Sequence, residues 1–377
     1  MNQSQRISSL DIFRGLTIAA MITVNNPGSW TYVYSPLRHA EWHGWTPTDL
    51  VFPFFLFIVG VSITLSLDKY LAAHVGHRQL LIRIWRRTLI LFSLGMILNG
   101  IPDFQWSTWR IPGVLQRIAV CYCFIAHLYI FFKRKMESTI WVWIGLISVL
   151  LIGYAILLMF VPVPGYGVGL IDSKEGNLAA YIDRLVFGAH LWSQSKTWDP
   201  EGVLSTLPAL ATTACGVLTG SWLKTRNRKS SIFLAMLIVG VCVAIAGQAL
   251  HFVFPINKKL WTSTFVLLTS GLALIVLALI YWYSDVKKLK WGTRPFLILG
   301  SNAITVYFLS SLFGAFLWLV EVPRDGELIS LKGYIYTVIL SPVFGDYLAS
   351  LLYALFYVLF WLAVMAWFYK KRIFIKV

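Results

Sequence analysis

The sequence predicts an all-α, polytopic membrane protein with about ten transmembrane helices, and three observations carry that prediction. Hydrophobic residues make up 58% of the chain and charged residues only 13%, whereas a soluble globular protein has roughly 45–50% and roughly 25%. Apolar runs near twenty residues long recur along all 377 positions, with a mean hydropathy of +0.71. Basic residues gather at alternate ends of those runs, as cytoplasmic loops require. Lipid offers the backbone no hydrogen-bond partners, so such runs are read as helices.

The runs fall at roughly 10–27, 47–68, 79–99, 111–132, 140–160, 201–223, 230–254, 261–283, 293–319 and 347–370. Each is long enough to cross ~30 Å of hydrocarbon as a helix. The first carries Arg14 and has no small-residue cleavage site, so it reads as a span and not as a signal peptide. The second opens on Thr46-Pro47-Thr48-Asp49, a helix-start pattern with Thr46 as N-cap, Pro47 at the first helical position and Asp49 as the capping-box acid. The third begins among Arg83, Arg86 and Arg87; the fourth encloses Arg117; the ninth encloses Asn302. Charges inside apolar sequence are costly and are usually paired or functional. Arg14 can snorkel or pair with Asp11 one turn away, and Asn302 is either a packing amide or part of a channel lining. The longest connection, about 161–200, opens with the turn-forming VPVPGYGVGL and then carries Asp172, Lys174, Glu175, Asp183, Arg184 and Asp199. A long mixed-charge loop of this kind is more often functional than a plain connector. Cys121, Cys123, Cys215 and Cys242 all lie in apolar runs and read as buried free thiols, so no metal is predicted. No soluble domain, low-complexity segment or internal repeat stands out, and residues 1–377 read as one integral-membrane domain.

Charge fixes the expected orientation. Of the 32 Lys and Arg residues, 21 fall at one set of ends, in clusters that include Arg6; Lys133, Arg134 and Lys135; Lys224, Arg226, Arg228 and Lys229; and Lys370, Lys371, Arg372 and Lys376. The opposite ends hold nine, and twelve of the sixteen acids. Both termini are therefore expected in the cytoplasm. The formal charge of +16 is a topology signature and no argument for nucleic acid, although a basic face also attracts anionic membrane lipid or a phosphorylated ligand.

The candidate chemistry concentrates in residues 25–55, NNPGSWTYVYSPLRHAEWHGWTPTDLVFPFF, where Asn25, Asn26, His39, Glu41, His43 and Asp49 sit in one turn-rich passage with Trp30, Trp42 and Trp45. An imidazole titrates near neutral pH and can take a proton from an attacking amine or hydroxyl, or attack an acyl group itself. His39 and His43 are equal candidates by composition. Asp49 can cap its helix, orient a histidine as the acid of a triad does, or do both. Asn25 ends the first run, and its amide could donate to a carbonyl oxygen that becomes an oxyanion. Walker A, GxGxxG, zinc-spaced and GxSxG patterns in a suitable context are lacking, which weighs against ATPase, dehydrogenase, metalloprotease and esterase readings. On physics alone a transporter or flippase for a glycan or lipid-linked sugar suits the chain as well as an enzyme does. A reactive histidine at a helix mouth, without internal repeats, favours the enzyme.

The blocks SLDIFRGLTIAAMITVNN, RHAEWHGWTPTDLVFPFFLFIVGVSI, RIPGVLQRIAV, YIDRLVFGAHLW, DPEGVLSTLPA, PINKKLWTSTFVL and GSNAITVYFLS resemble, in order and over nearly the whole chain, the heparan-α-glucosaminide N-acetyltransferase family of multipass acetyltransferases. The resemblance implies transfer of acetyl from cytosolic acetyl-coenzyme A to an amino sugar, a terminal glucosamine-like amine or alternatively a hydroxyl, at the outer face. It places His39, Asp49 and Asn25 at the family's active positions. Arg14, Arg83, Arg86, Arg87 and Asn302 are then expected to hold the donor. Trp42, Arg117, Asp183, Asp199, Glu201, Asn257 and Lys258, all within matching blocks, are expected on the acceptor side. The large external domain that precedes this region in the animal lysosomal enzyme is not expected, as in a bacterial member seated in the inner membrane; a homodimer is left open. The stretch between Asn25 and His39 is longer than in the animal enzyme, so the acceptor pocket is expected to differ.

Overall fold

A computed structural model of the protein describes residues 7–136, 139–224, 229–324 and 326–375. Arg6, Arg226, Arg228 and Lys376, counted above among the basic ends, lie outside the described residues, as does the side chain of Lys229.

Every one of the ten apolar runs carries helix. In chain order these are α1 (Ser8–Asn25), α2 (Val51–Ala72, entered through a 3-10 turn at Pro47–Leu50), α3 (His77–Gly100), α4 (Val114–Lys135) and α5 (Ile140–Phe160). A short α6 (Leu178–Phe187), capped by the Asn177 side chain, sits within the long connection. Then come α7 (Thr206–Leu223), α8 (Lys229–Ala249), α9 (Ser263–Tyr281), α10 (Arg294–Ser301) and α11 (Ala303–Leu319). A hairpin of β1 (Glu321–Arg324) and β2 (Glu327–Ser330) leads to α12 (Leu331–Tyr334) and α13 (Ser341–Phe344), which run on as one short apolar helix, and to α14 (Asp346–Lys370).

Among the described residues, six helices are long and apolar enough to span a bilayer alone, and a seventh span results if α10 and α11 count together. Ten spans therefore remain an expectation. α1, α3 and α7 fall short: α1 carries Asp11 and Arg14, α3 carries Arg78, Arg83, Arg86 and Arg87, and α7 carries a buried run of Thr, Ala and Gly. The ninth run differs from the sequence reading. It is two helices bent by 82° at Asn302. The side chain at the break is paired with the C-terminal segment: the Asn302 side-chain amide donates to the Ile373 carbonyl (3.0 Å) and accepts from the Ile375 N–H (2.9 Å). A buried amide at a helix break is tolerated in apolar surroundings only with such partners.

Two close helix crossings set the frame. α2 meets α7 at Gly60 and Gly216, where an added Cβ would lie 1.9 Å from the Thr213 carbonyl oxygen and 2.0 Å from that of Phe57. α1 meets α10 at Gly15 and Gly300 in the same manner, 1.8 Å from the Phe296 oxygen and 2.1 Å from the Asp11 oxygen. Backbones approach this closely only over small residues. The connections at the other end of the bundle fold over a separate apolar cluster that includes Trp42, Tyr154, Trp198 and Phe254.

Two outcomes are expected. Gly60→Val should lower the melting temperature of the detergent-purified protein by several degrees, because overpacking at a backbone contact costs ~1–3 kcal/mol or more; an unchanged thermal scan would contradict the crossing. Cysteines placed at Lys135 and Lys174 should react with an impermeant reagent from opposite faces of sealed vesicles, and labelling from one face would refute the proposed orientation.

Candidate active site

The chain between α1 and α2 is shaped by local bonds before it meets any other element. Arg38 staples it, Nε to the Val33 carbonyl and Nη2 to the Thr31 carbonyl, both 2.8 Å. The capping box anticipated at Thr46 and Asp49 is present. Asp49 Oδ2 accepts from the Thr46 N–H (3.0 Å) and also from the Ala40 N–H (3.1 Å), while Oδ1 lies 2.6 Å from His39 Nδ1. The carboxylate is fully buried; the imidazole is 42% exposed. Asp49 thus caps the helix and orients the histidine at once. With Nδ1–H directed at a carboxylate, Nε2 carries the free lone pair.

That imidazole opens on a cavity of about 210 Å³ walled by Asn25, Arg110, Glu201, Lys258 and Tyr307, with Trp192 at its side. Asn25 reaches it as the last residue of α1. Arg110, just before α4, makes a bidentate pair with Asp199 (2.8 and 2.6 Å) and bonds Glu201 (2.7 Å), so residues 199–201 are fixed against the cavity wall. The Asp199 carboxylate has no solvent exposure, and the two-pronged guanidinium geometry is what makes its burial tolerable.

Lys258 enters from the opposite side. Its Nζ lies 3.0 Å from His39 Nδ1, 3.3 Å from Nε2 and 3.7 Å from Asp49 Oδ1. Burial lowers its pKa, against the opposing charges of Asp49 and Glu201. The turn that carries it is tightly held. Asn257 Oδ1 accepts from the Leu260 N–H, the Asn257 N–H donates to Thr262 Oγ1, and the Gly44 N–H donates to the Ile256 carbonyl. Tyr154 bonds the Leu260 carbonyl, and Trp261 Nε1 bonds Thr212.

Of the residues singled out from sequence, the structure brings His39, Asn25, Glu201 and Lys258 to one cavity, with Asp49 and Asp199 directly behind the walls. Others build the surroundings. Arg117 is buried over Trp261 and donates to the Gly202 carbonyl and to Ser205. Asp183 accepts from the Asp199 and Val203 N–H groups, and burial pushes its pKa up to about 7. Trp42 donates to the Ile171 carbonyl and packs edge-on against Trp198. His43, an equal candidate by composition, faces Asp172 (2.7 Å) instead of the cavity.

None of the five residues assigned to the donor lines the His39 cavity. Arg14 bonds Asp11 and Ser62, Arg83 lies over Tyr70, Arg87 over Tyr122, Arg86 is exposed, and Asn302 holds the C-terminal segment. Sequence reasoning missed Arg110, Lys259, Trp192 and Tyr307. Arg110 counted only as an outer basic residue, and its partners lie about ninety positions away.

Fold and site together define a multipass membrane protein with a carboxylate-oriented histidine at the mouth of a largely apolar cavity that holds a few converging polar groups, a class of site suited to acid–base or group-transfer chemistry. A family model described as a domain of unknown function (DUF5009) matches residues 6–222, and the chain belongs to that family. It is also similar to heparan-alpha-glucosaminide N-acetyltransferase of Mus musculus, 32% identical over 355 residues (81% of this chain, 53% of the relative). The same protein of Homo sapiens is 32% identical over 359 residues (82% and 53%). The family resemblance read from the sequence blocks therefore holds. The chain spans about half the length of the curated relatives it matches.

Because Asp199 is buried against Arg110, Arg110→Met should destabilise the protein by ~3–5 kcal/mol through an unpaired charge. Adding Asp199→Asn should recover part of that loss in thermal scans. A double variant as unstable as the sum of the two single ones would show that the pair is not coupled.

Proposed function

We propose that the protein transfers an acetyl group from acetyl-coenzyme A to the amine of an amino sugar at the outer face of the membrane. The observation that carries this reading is the His39–Asp49 pair, 2.6 Å apart, opening on the cavity that Asn25, Arg110, Glu201 and Lys258 also line. The similarity to N-acetyltransferases supplies the reaction class. His39 Nε2 takes a proton from the acceptor amine as it attacks the thioester carbonyl, and Asp49 stabilises the imidazolium that forms. Asn25, on the same cavity wall, donates to the carbonyl oxygen as it gains charge. A base is preferred to an acetyl-imidazole carrier because the ring is 42% exposed, and an acyl group on it would meet water. The donor's phosphates are assigned to the basic ends. Its pantetheine arm would run between helices toward His39, covering part of the ~30 Å that separates the two faces, so coenzyme A itself need not cross.

The test is purified protein with radiolabelled acetyl-coenzyme A and a panel of amino sugars. His39→Ala should lower turnover by ~10²–10⁴, the scale of a positioned acid–base group, with donor binding and folding retained. His43→Ala should cost far less. Near-normal turnover by a folded His39→Ala protein refutes the assignment. Neutralising Arg83, Arg86 and Arg87 together should raise the Michaelis constant for acetyl-coenzyme A more than that for the acceptor, and an unchanged donor constant would assign the cluster to topology alone.

A further inference from the structure

We propose that Lys258 is a site of self-acetylation: when donor is bound and no acceptor is present, its amine takes the acetyl group. The inference rests on the proposed acetyltransferase activity and adds a modification site within the same cavity. Its basis is position. An acceptor amine must come within about 2.6–3.2 Å of the basic ring nitrogen to hand over its proton, and Lys258 Nζ lies 3.3 Å from Nε2, just beyond that range, and 3.0 Å from Nδ1. The lysine is an amine held next to the position that the substrate amine has to take. The two distances place it beside the Nδ1–Cε1–Nε2 edge of the ring, from which a small rotation of the flexible lysine side chain brings Nζ onto the Nε2 lone pair. Its side chain is 18% exposed, and its turn is anchored to α5, α7 and the Gly44 loop, so the placement is built into the fold. Burial also favours the neutral, nucleophilic amine.

The step balances without another reactant. His39 Nε2 takes a proton from Nζ, and the amine attacks the thioester carbonyl. The C–N bond forms, the C–S bond breaks, and the coenzyme A thiolate leaves and collects the proton. The product is an uncharged amide whose acetyl group occupies the cavity, so acceptor can no longer enter. Lys259 provides an internal comparison. It lines the same cavity, but its Nζ donates to the Glu41 carbonyl and lies over the Trp198 ring, away from the imidazole.

The experiment incubates the purified full chain with trideuteroacetyl-coenzyme A, with and without an amino-sugar acceptor, and reads each lysine and histidine by peptide mass spectrometry after hydroxylamine treatment. The heavy label separates this reaction from acetylation during expression; hydroxylamine removes an acetyl-imidazole and leaves an amide. The expected result is stable label on Lys258 in wild type, suppressed by acceptor, absent in His39→Ala, and well above label on Lys259. Pre-incubation with donor alone should cut the later initial rate in proportion to the labelled fraction, and Lys258→Arg should show no such time-dependent loss. Turnover of an acceptor with Lys258 unlabelled overturns this inference and leaves the proposed function standing. Equal label on Lys259, or label that persists in His39→Ala, marks non-enzymatic acetylation and also overturns it. Absence of both turnover and label overturns both readings.

Discussion

A carboxylate taken out of water costs several kcal/mol unless donors replace its hydration, and Asp49 has no exposure at all. Its oxygens are met by the Ala40 N–H, the Thr46 N–H and the His39 ring, and its place in the 3-10 turn ahead of α2 adds the favourable end of a helix dipole. These bonds leave the chain from Arg38 to Thr46 little freedom. With Ala40 and Thr46 tied to one oxygen, His39 is held at the other, facing the cavity. Helix start, loop closure and imidazole orientation are thus one constraint.

The rest of the site depends on bringing distant connections to the same end of the bundle. Asn25, Arg110, Glu201 and Lys258 come from four separate helix ends and meet around one cavity. The glycine crossings of α1 with α10 and of α2 with α7 hold together part of the bundle on which those ends are mounted. Buried polar side chains then fix the loops: Arg110 holds residues 199–201, Asp183 holds the Asp199 and Val203 backbone, and Arg117 holds the turn at Gly202–Ser205. Several polar residues of the loops around the cavity therefore serve to position its walls.

Much of this was legible in the sequence where a local rule applied. The apolar runs marked every long helix, and Thr46-Pro47-Thr48-Asp49 marked the capping box. The Arg14–Asp11 pair followed from helical spacing and is present at 3.1 Å. Non-local contacts were not legible. The run 293–319 is apolar throughout, so its 82° break appears only once Asn302 finds the C-terminal segment. His39 and His43 could not be ranked by composition because the difference lies in their partners, buried Asp49 against exposed Asp172. Lys258 was placed on the acceptor side by family resemblance; its contact with the imidazole came from the folding of a turn more than two hundred residues away.

The central claim is that His39 and Asp49 act as one chemical unit, and a double-mutant cycle on the acetyl-transfer rate tests it most directly. Residues that work as a unit are strongly non-additive. If the claim holds, His39→Ala combined with Asp49→Asn will cost about as much rate as His39→Ala alone. Losses that multiply, with Asp49→Asn reducing the His39→Ala rate as much as it reduces the wild-type rate, would contradict it.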